Sequence, residues 1–126
     1  MPIQILVLDD EKIVGERLKA AMEKEGHALE TFVDPVKALG RIREKAFDVV
    51  VTDIRMDEMD GIQVLEEVRK KSQRTRVIMI TGYATLEIAR ESLTKGAFDF
   101  IAKPFKLKEI RQAIQKAEND LRAEES

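Results

Sequence analysis

Cysteine is absent from the 126 residues, which excludes disulfides and thiolate metal sites. Histidine occurs once, so a softer metal has no imidazole cluster to hold it. No apolar run approaches the length of a membrane span, and charged residues, 37% of the chain, are interleaved along it. With 22 basic and 24 acidic side chains the formal charge is −2, and no basic stripe interleaved with aromatics appears, so direct nucleic-acid binding by this chain is not expected. There is no internal repeat, low-complexity tract or linker. The opening residues carry no basic-then-apolar leader, and cytoplasmic residence without membrane attachment is the expectation.

The chain does have enough apolar material, 44%, for one domain with a real core, and a single domain over residues 1–126 is the expectation. Apolar runs over residues 3–8, 47–52 and 76–80 read as strands buried on both faces. Residues 28–32 carry Glu30 and Thr31 and suit an edge strand, and residues 98–102 give a fifth. Between them lie segments of helical period. Residues 12–25 place Ile13, Val14, Leu18, Ala21 and Met22 on one side and stop at Gly26. A second helix opens at Asp34-Pro35 with Val36, Leu39 and Ile42 on its buried side. Helices over 61–71, 86–95 and from Leu107 toward Arg122 complete five strand-helix pairs. Right-handed crossovers then imply an α/β fold of flavodoxin-like type, a doubly wound (βα)5 sandwich around a five-stranded parallel sheet in the order 2-1-3-4-5.

The polar residues at the strand ends carry the chemistry. Asp9, Asp10 and Glu11 follow the first strand, Asp53 the third, Thr81 the fourth and Lys103 the fifth. A lone strand-end aspartate such as Asp53 reads equally as a functional group or as a turn or helix-cap residue. In the 2-1-3-4-5 order, however, Asp9, Asp10 and Asp53 line one crevice at the topological switch point. Three neighbouring carboxylates repel and invite a hard cation with oxygen ligands, Mg²⁺ in particular. Lys103 and Thr81 can neutralise and hydrogen-bond the oxygens of a phosphoryl group, and Asp53 is then the nucleophile for an acyl phosphate.

Asp9-Asp10, Asp53 within Thr-Asp-Ile-Arg-Met, Thr81-Gly82 and Lys103-Pro104-Phe105, in that order, resemble the receiver domain of two-component response regulators over essentially the whole chain. Ile-Thr-Gly-Tyr-Ala-Thr and Lys-Gly-Ala-Phe-Asp-Phe-Ile-Ala-Lys-Pro-Phe are most similar to receivers of the nitrogen-regulatory, enhancer-binding class of transcriptional activators. The resemblance implies that Asp53 is the phospho-acceptor, that Asp9, Asp10, Asp53 and the main-chain carbonyl of Arg55 hold Mg²⁺, and that Thr81 and Lys103 grip the phosphoryl group. It also implies a cis Lys103-Pro104 peptide and a switch in which Thr81 and Phe100 remodel the face formed by helix 4, strand 5 and helix 5. A sensor histidine kinase would be the phosphoryl donor, and an output domain outside this chain, or a homodimer through that face, would read the state. The domain would catalyse only its own aspartyl phosphorylation and dephosphorylation.

Asp57-Glu58 stands where the family usually has Pro-Gly; it is either a solvated acidic tip or a charge that alters metal affinity. Arg55 and Tyr83, beside Gly82, either shield the phosphoryl group from water or simply cover the loops. Phe100 taken alone is as consistent with plain core, and His27 reads as an exposed connector. The methionines read as filler. The apolar spacing of Leu107, Ile110, Ile114, Ala117 and Leu121 continues past the length needed to cover a sheet. The helix end either frays, leads toward an output domain, or pairs with its twin.

Two other classes share parts of this pattern. A magnesium-dependent aspartyl phosphohydrolase wants a second aspartate two residues on, where Arg55 stands. A flavodoxin-like cofactor binder needs a phosphate-cradling loop after the first strand, where three carboxylates would repel an anion.

Overall fold

The computed structural model describes residues 2–54, 60–82 and 86–125. Strands β1 (Gln4–Leu8), β2 (Ala28–Phe32), β3 (Val49–Asp53), β4 (Arg76–Thr81) and β5 (Asp99–Ala102) alternate with helices α1 (Lys12–Lys24), α2 (Pro35–Glu44), α3 (Gly61–Lys71), α4 (Leu86–Thr94) and α5 (Leu107–Glu125). The strands are parallel and lie in the order β2-β1-β3-β4-β5, as the sequence pattern predicts.

Alternation along the strands divides the core between the two faces. Ile5, Val7, Val49, Val51, Ile78 and Ile80 face a layer completed by Leu18 and Met22 of α1 and by Ile110, Ile114, Ala117 and Leu121 of α5. Leu6, Leu8, Val50, Val77 and Met79 face the opposite layer, built by Ala38, Leu39 and Ile42 of α2 and by Val64, Leu65 and Val68 of α3. Each such side chain contributes roughly 1.5–3 kcal/mol of burial, which fixes the sheet on both sides and therefore fixes where its C-terminal edge lies.

Local signals set the helix ends. Asp34 accepts the Val36 N–H at 2.9 Å with Pro35 in the first helical position, and Asp60 with Gln63 forms a reciprocal capping box on α3. Gly26 and Gly96 close the turns after α1 and α4 with φ of 88° and 102°, a region costly for any side chain.

Three expectations are corrected. Val36 is 57% exposed, because Pro35 and Ala38 take the buried side at the start of α2. Ile13 is likewise exposed on α1. His27 is not an exposed connector: its side chain is 9% exposed, Nδ1 accepts the Ile3 N–H at 3.1 Å, and Nε2 lies 3.9 Å from Oε1 of the buried Glu118. The end of α5 is helical to Glu125. Its apolar seam is spent on the sheet from Ile110 to Leu121, and its last turn is tied to the start of β4 by Arg76 with Asp120 and Glu124, and by Arg74 with Glu125.

Candidate functional site

Strand pairing carries Asp53 and Thr81 to the C-terminal edge of the sheet as the last residues of β3 and β4. Asp53 is still in register with Ile80, so its backbone is held by the ladder while its side chain emerges at the edge. Asp9 follows β1 directly, and its N–H donates to the Phe32 carbonyl at 3.1 Å. Directly after β5, the Lys103 N–H donates to the Thr81 carbonyl at 2.8 Å, and the Lys103-Pro104 peptide is cis, as the resemblance implies.

Gly61 is a positioning residue that sequence reasoning passed over. A Cβ there would stand 2.8 Å from Ile54 Cα and closer still to the main-chain oxygen of Asp53. Its N–H donates to the Ile54 carbonyl at 2.7 Å. Only glycine lets the start of α3 approach this closely behind Asp53. The available signal was a glycine placed directly after the capping aspartate Asp60, where a side chain would normally be harmless.

The acidic side chains do converge. Carboxylate oxygens of Asp9, Asp10 and Asp53 lie within 4.8 Å of one another. Asp9 and Asp53 are 1% and 4% exposed, whereas Asp10 is open to solvent. The ammonium of Lys103 reaches in from β5, with Nζ 3.0 Å from Asp53 Oδ2, 3.1 Å from Asp9 Oδ2 and 2.9 Å from Glu11 Oε1. Burial pushes the Asp9 carboxyl up to about 6, against the Glu11 N–H and the Lys103 ammonium, which pull the other way. Burial also disfavours the charge on Lys103, but the Glu11 and Asp53 carboxylates that accept its hydrogen bonds, with the Asp9 carboxylate beside them, outweigh it and hold this lysine above the ordinary range.

The donor set fits a hard divalent cation. Among the described residues the clustered side-chain ligands are all carboxylate oxygens, and Asp9 Oδ2 is buried with no donor in hydrogen-bond geometry, although Lys103 Nζ is only 3.1 Å away. A buried acceptor in that state is costly in a protein interior and is relieved by a cation.

Thr81 is fully buried, and Phe100 on β5 is half-buried, packing against the layer that holds Ile88. Gly82 is exposed, and a Cβ there would meet nothing within 4 Å. Arg55, Asp57, Glu58 and Tyr83 lie outside the described residues. Beside Lys103, a groove of about 490 Å³ opens between α1 and α5, lined by Ile13, Val14, Leu18, Phe105 and Leu107 among others.

A doubly wound sheet with a carboxylate cluster at its switch point and a lysine reaching across it is the arrangement of a signalling receiver. The chain belongs to the response regulator receiver domain family, whose model matches residues 5–115. It is a phosphorylation-dependent switch of two-component systems. It is 42% identical over 114 residues to the regulatory protein AtoC of Escherichia coli, a match covering 90% of this chain and 25% of AtoC. The chain thus spans about a quarter of that relative's length. The receiver domain of a CheY-like protein from Methanospirillum hungatei superposes with a TM-score of 0.93 at 29% identity, covering 98% of this chain and 99% of that one. The beryllofluoride-activated NtrC4 receiver domain dimer superposes at 0.88 with 31% identity, covering 94% of this chain and 98% of that one. These relatives bear out the nitrogen-regulatory type that the motifs after β4 and β5 resemble.

Proposed function

We propose that Asp53 accepts a phosphoryl group from the phosphohistidine of a sensor histidine kinase. The P–N bond breaks as a bond forms from phosphorus to an Asp53 carboxylate oxygen. The electron pair returns to the ring nitrogen of the donor histidine, whose other nitrogen carries a proton, so that a neutral imidazole remains on the kinase. One observation carries this reading: Asp53, almost fully buried, has the Lys103 ammonium 3.0 Å from Oδ2, with the buried Thr81 ending the next strand. Lys103 neutralises charge on the incoming phosphoryl oxygens, and the Thr81 hydroxyl hydrogen-bonds one of them. Asp9, Asp10 and Asp53, with the main-chain carbonyl of Arg55, would hold Mg²⁺. When bound, that ion offsets the negative charge of the carboxylates and of the phosphoryl group. The groove between α1 and α5 lies on the Lys103 side and suits the approach of a protein donor.

In this reading Thr81 moves toward the phosphoryl group, Phe100 turns into the space it leaves, and the surface of α4, β5 and α5 changes. That surface then controls an output domain outside this chain or a homodimer, in a cytoplasmic transcriptional regulator, with no nucleic-acid contact by the receiver itself. Asp57, Glu58, Gly82 and Tyr83 modulate the lifetime of the phosphorylated state.

The test is incubation with Mg²⁺ and acetyl phosphate followed by intact-mass measurement. One phosphoryl group is expected on the wild type and none on Asp53→Asn. Turnover of varied phosphate esters without stable modification would instead favour a phosphohydrolase.

A further inference from the structure

Glu11 occupies the N-cap position of α1, yet its side chain makes no cap hydrogen bond. It turns instead to Lys103, with Oε1 2.9 Å from Nζ. The Glu11 side chain is 61% exposed, so this ion pair adds little to stability. Its effect lies in where it puts the ammonium. Lys103 Nζ stands nearly equidistant from three carboxylates, but its hydrogen bonds go to Glu11 and Asp53, while Asp9 Oδ2 is left buried without one. Glu11 and Asp9 therefore compete for the same ammonium.

We propose that Glu11 is a positioning residue: it draws Lys103 toward the α1 side of the crevice, keeping the ammonium on Asp53 while leaving Asp9 Oδ2 open to a divalent cation. Without that pull, Lys103 closes onto Asp9, where the buried carboxylate has an unused lone pair and an attraction strengthened by low dielectric. The cation then has to displace the lysine before it can bind. The inference rests on the magnesium reading above and adds a residue that competes neither for the metal nor for the phosphoryl group. It sets the resting place of Lys103, the ammonium that faces both.

Two explanations for an effect of Glu11 on metal binding have to be separated: steering of Lys103, and plain attraction of the metal by a nearby negative charge. Titration calorimetry with Mg²⁺ separates them through a double-mutant cycle with Lys103 and through the shortened acid Glu11→Asp, which keeps the charge but loses the reach. Glu11→Gln and Glu11→Asp are each expected to weaken Mg²⁺ binding roughly fivefold in the wild-type background, and less than about twofold when Lys103 is Met. Glu11→Asp binding Mg²⁺ like the wild type, or Glu11→Gln costing the same in both backgrounds, would overturn the steering role in favour of direct charge. Unchanged affinity in Glu11→Gln would overturn it as well. A wild-type chain that gives no Mg²⁺ isotherm would instead overturn the magnesium reading, and this inference with it.

Discussion

Thr81 and Phe100 stand in neighbouring strands on one face of the sheet, two positions out of register, since Met79 pairs with Phe100 and Thr81 with Ala102. Both belong to the face covered by α2, α3 and α4, and Phe100 and Ile88 of α4 pack against the same core layer there. A displacement of Thr81 toward Asp53 therefore opens space beside the aromatic ring without disturbing the α1–α5 layer. With beryllofluoride and Mg²⁺, the NMR signals of Phe100 and Ile88 are expected to shift in the wild type. Thr81→Ala is expected to accept acetyl phosphate on Asp53 and yet leave those signals near their resting positions. Full shifts in Thr81→Ala would show that the coupling bypasses the threonine.

Three glycine-to-alanine changes are expected to differ widely. Gly61→Ala forces a Cβ into the backbone of Asp53 and Ile54 and should cost roughly 2–4 kcal/mol in urea unfolding, with slowed phosphorylation because Asp53 is moved. Gly40→Ala, within α2 and with nothing near its Cβ, should stabilise by about 0.5–1 kcal/mol. Gly82→Ala should leave stability within about 0.5 kcal/mol of the wild type.

The Asp9 carboxyl, raised by burial from 3.8 to about 6, sets a pH dependence for the metal-free protein. Between those values the folded state binds more protons than the unfolded chain, so this group makes stability fall as pH rises through the window, then level off. The decline amounts to about 2–3 kcal/mol at most. Asp9→Asn should remove most of it, and saturating Mg²⁺ should raise the midpoint most at the alkaline side. Urea midpoints across the window, with and without Mg²⁺, check both signs.

His27→Ala leaves the Ile3 N–H without its acceptor and takes a partner from the buried Glu118 carboxylate. A loss of about 1–3 kcal/mol is expected in thermal or urea unfolding. Phosphorylation of the folded variant should be normal, because the pair lies at the end of the sheet opposite Asp53. An exposed connector would have cost less than about 0.5 kcal/mol, so the magnitude itself decides the point.

How legible the molecule was depends on the range of the forces involved. The β-branched runs around Val7, Val50 and Ile78 and the cap at Asp34-Pro35 are local signals, and they placed all five strands and the crevice they end in. Asp53 and Lys103 were readable because strand order brings them together, and the cis peptide because the Lys103-Pro104-Phe105 motif resembles that of the receiver family. His27 and Glu118 were not, since their burial comes from partners 24 and 91 positions away in sequence, His27 to Ile3 and His27 to Glu118, and no periodicity records that. Val36 fitted the helical period but lost the buried side to Pro35, because the first turn of α2 faces the sheet through its proline. Glu11 stood in plain view beside Asp9 and Asp10. Its side-chain direction, away from the cap and toward Lys103, follows from the position of β5 and not from the acidic run.

The last turn of α5 is gripped differently from the rest of that helix. Ile110, Ile114, Ala117 and Leu121 are held by burial, which added salt does not weaken, whereas Asp120, Glu124 and Glu125 are held by Arg74 and Arg76 through carboxylates more than half exposed. Ionic strength therefore acts on this helix as a selective solvent. It loosens the turn at the pole away from Asp53 while the apolar seam stays shut, so the firmness of that last turn is set by the electrolyte as well as by the fold.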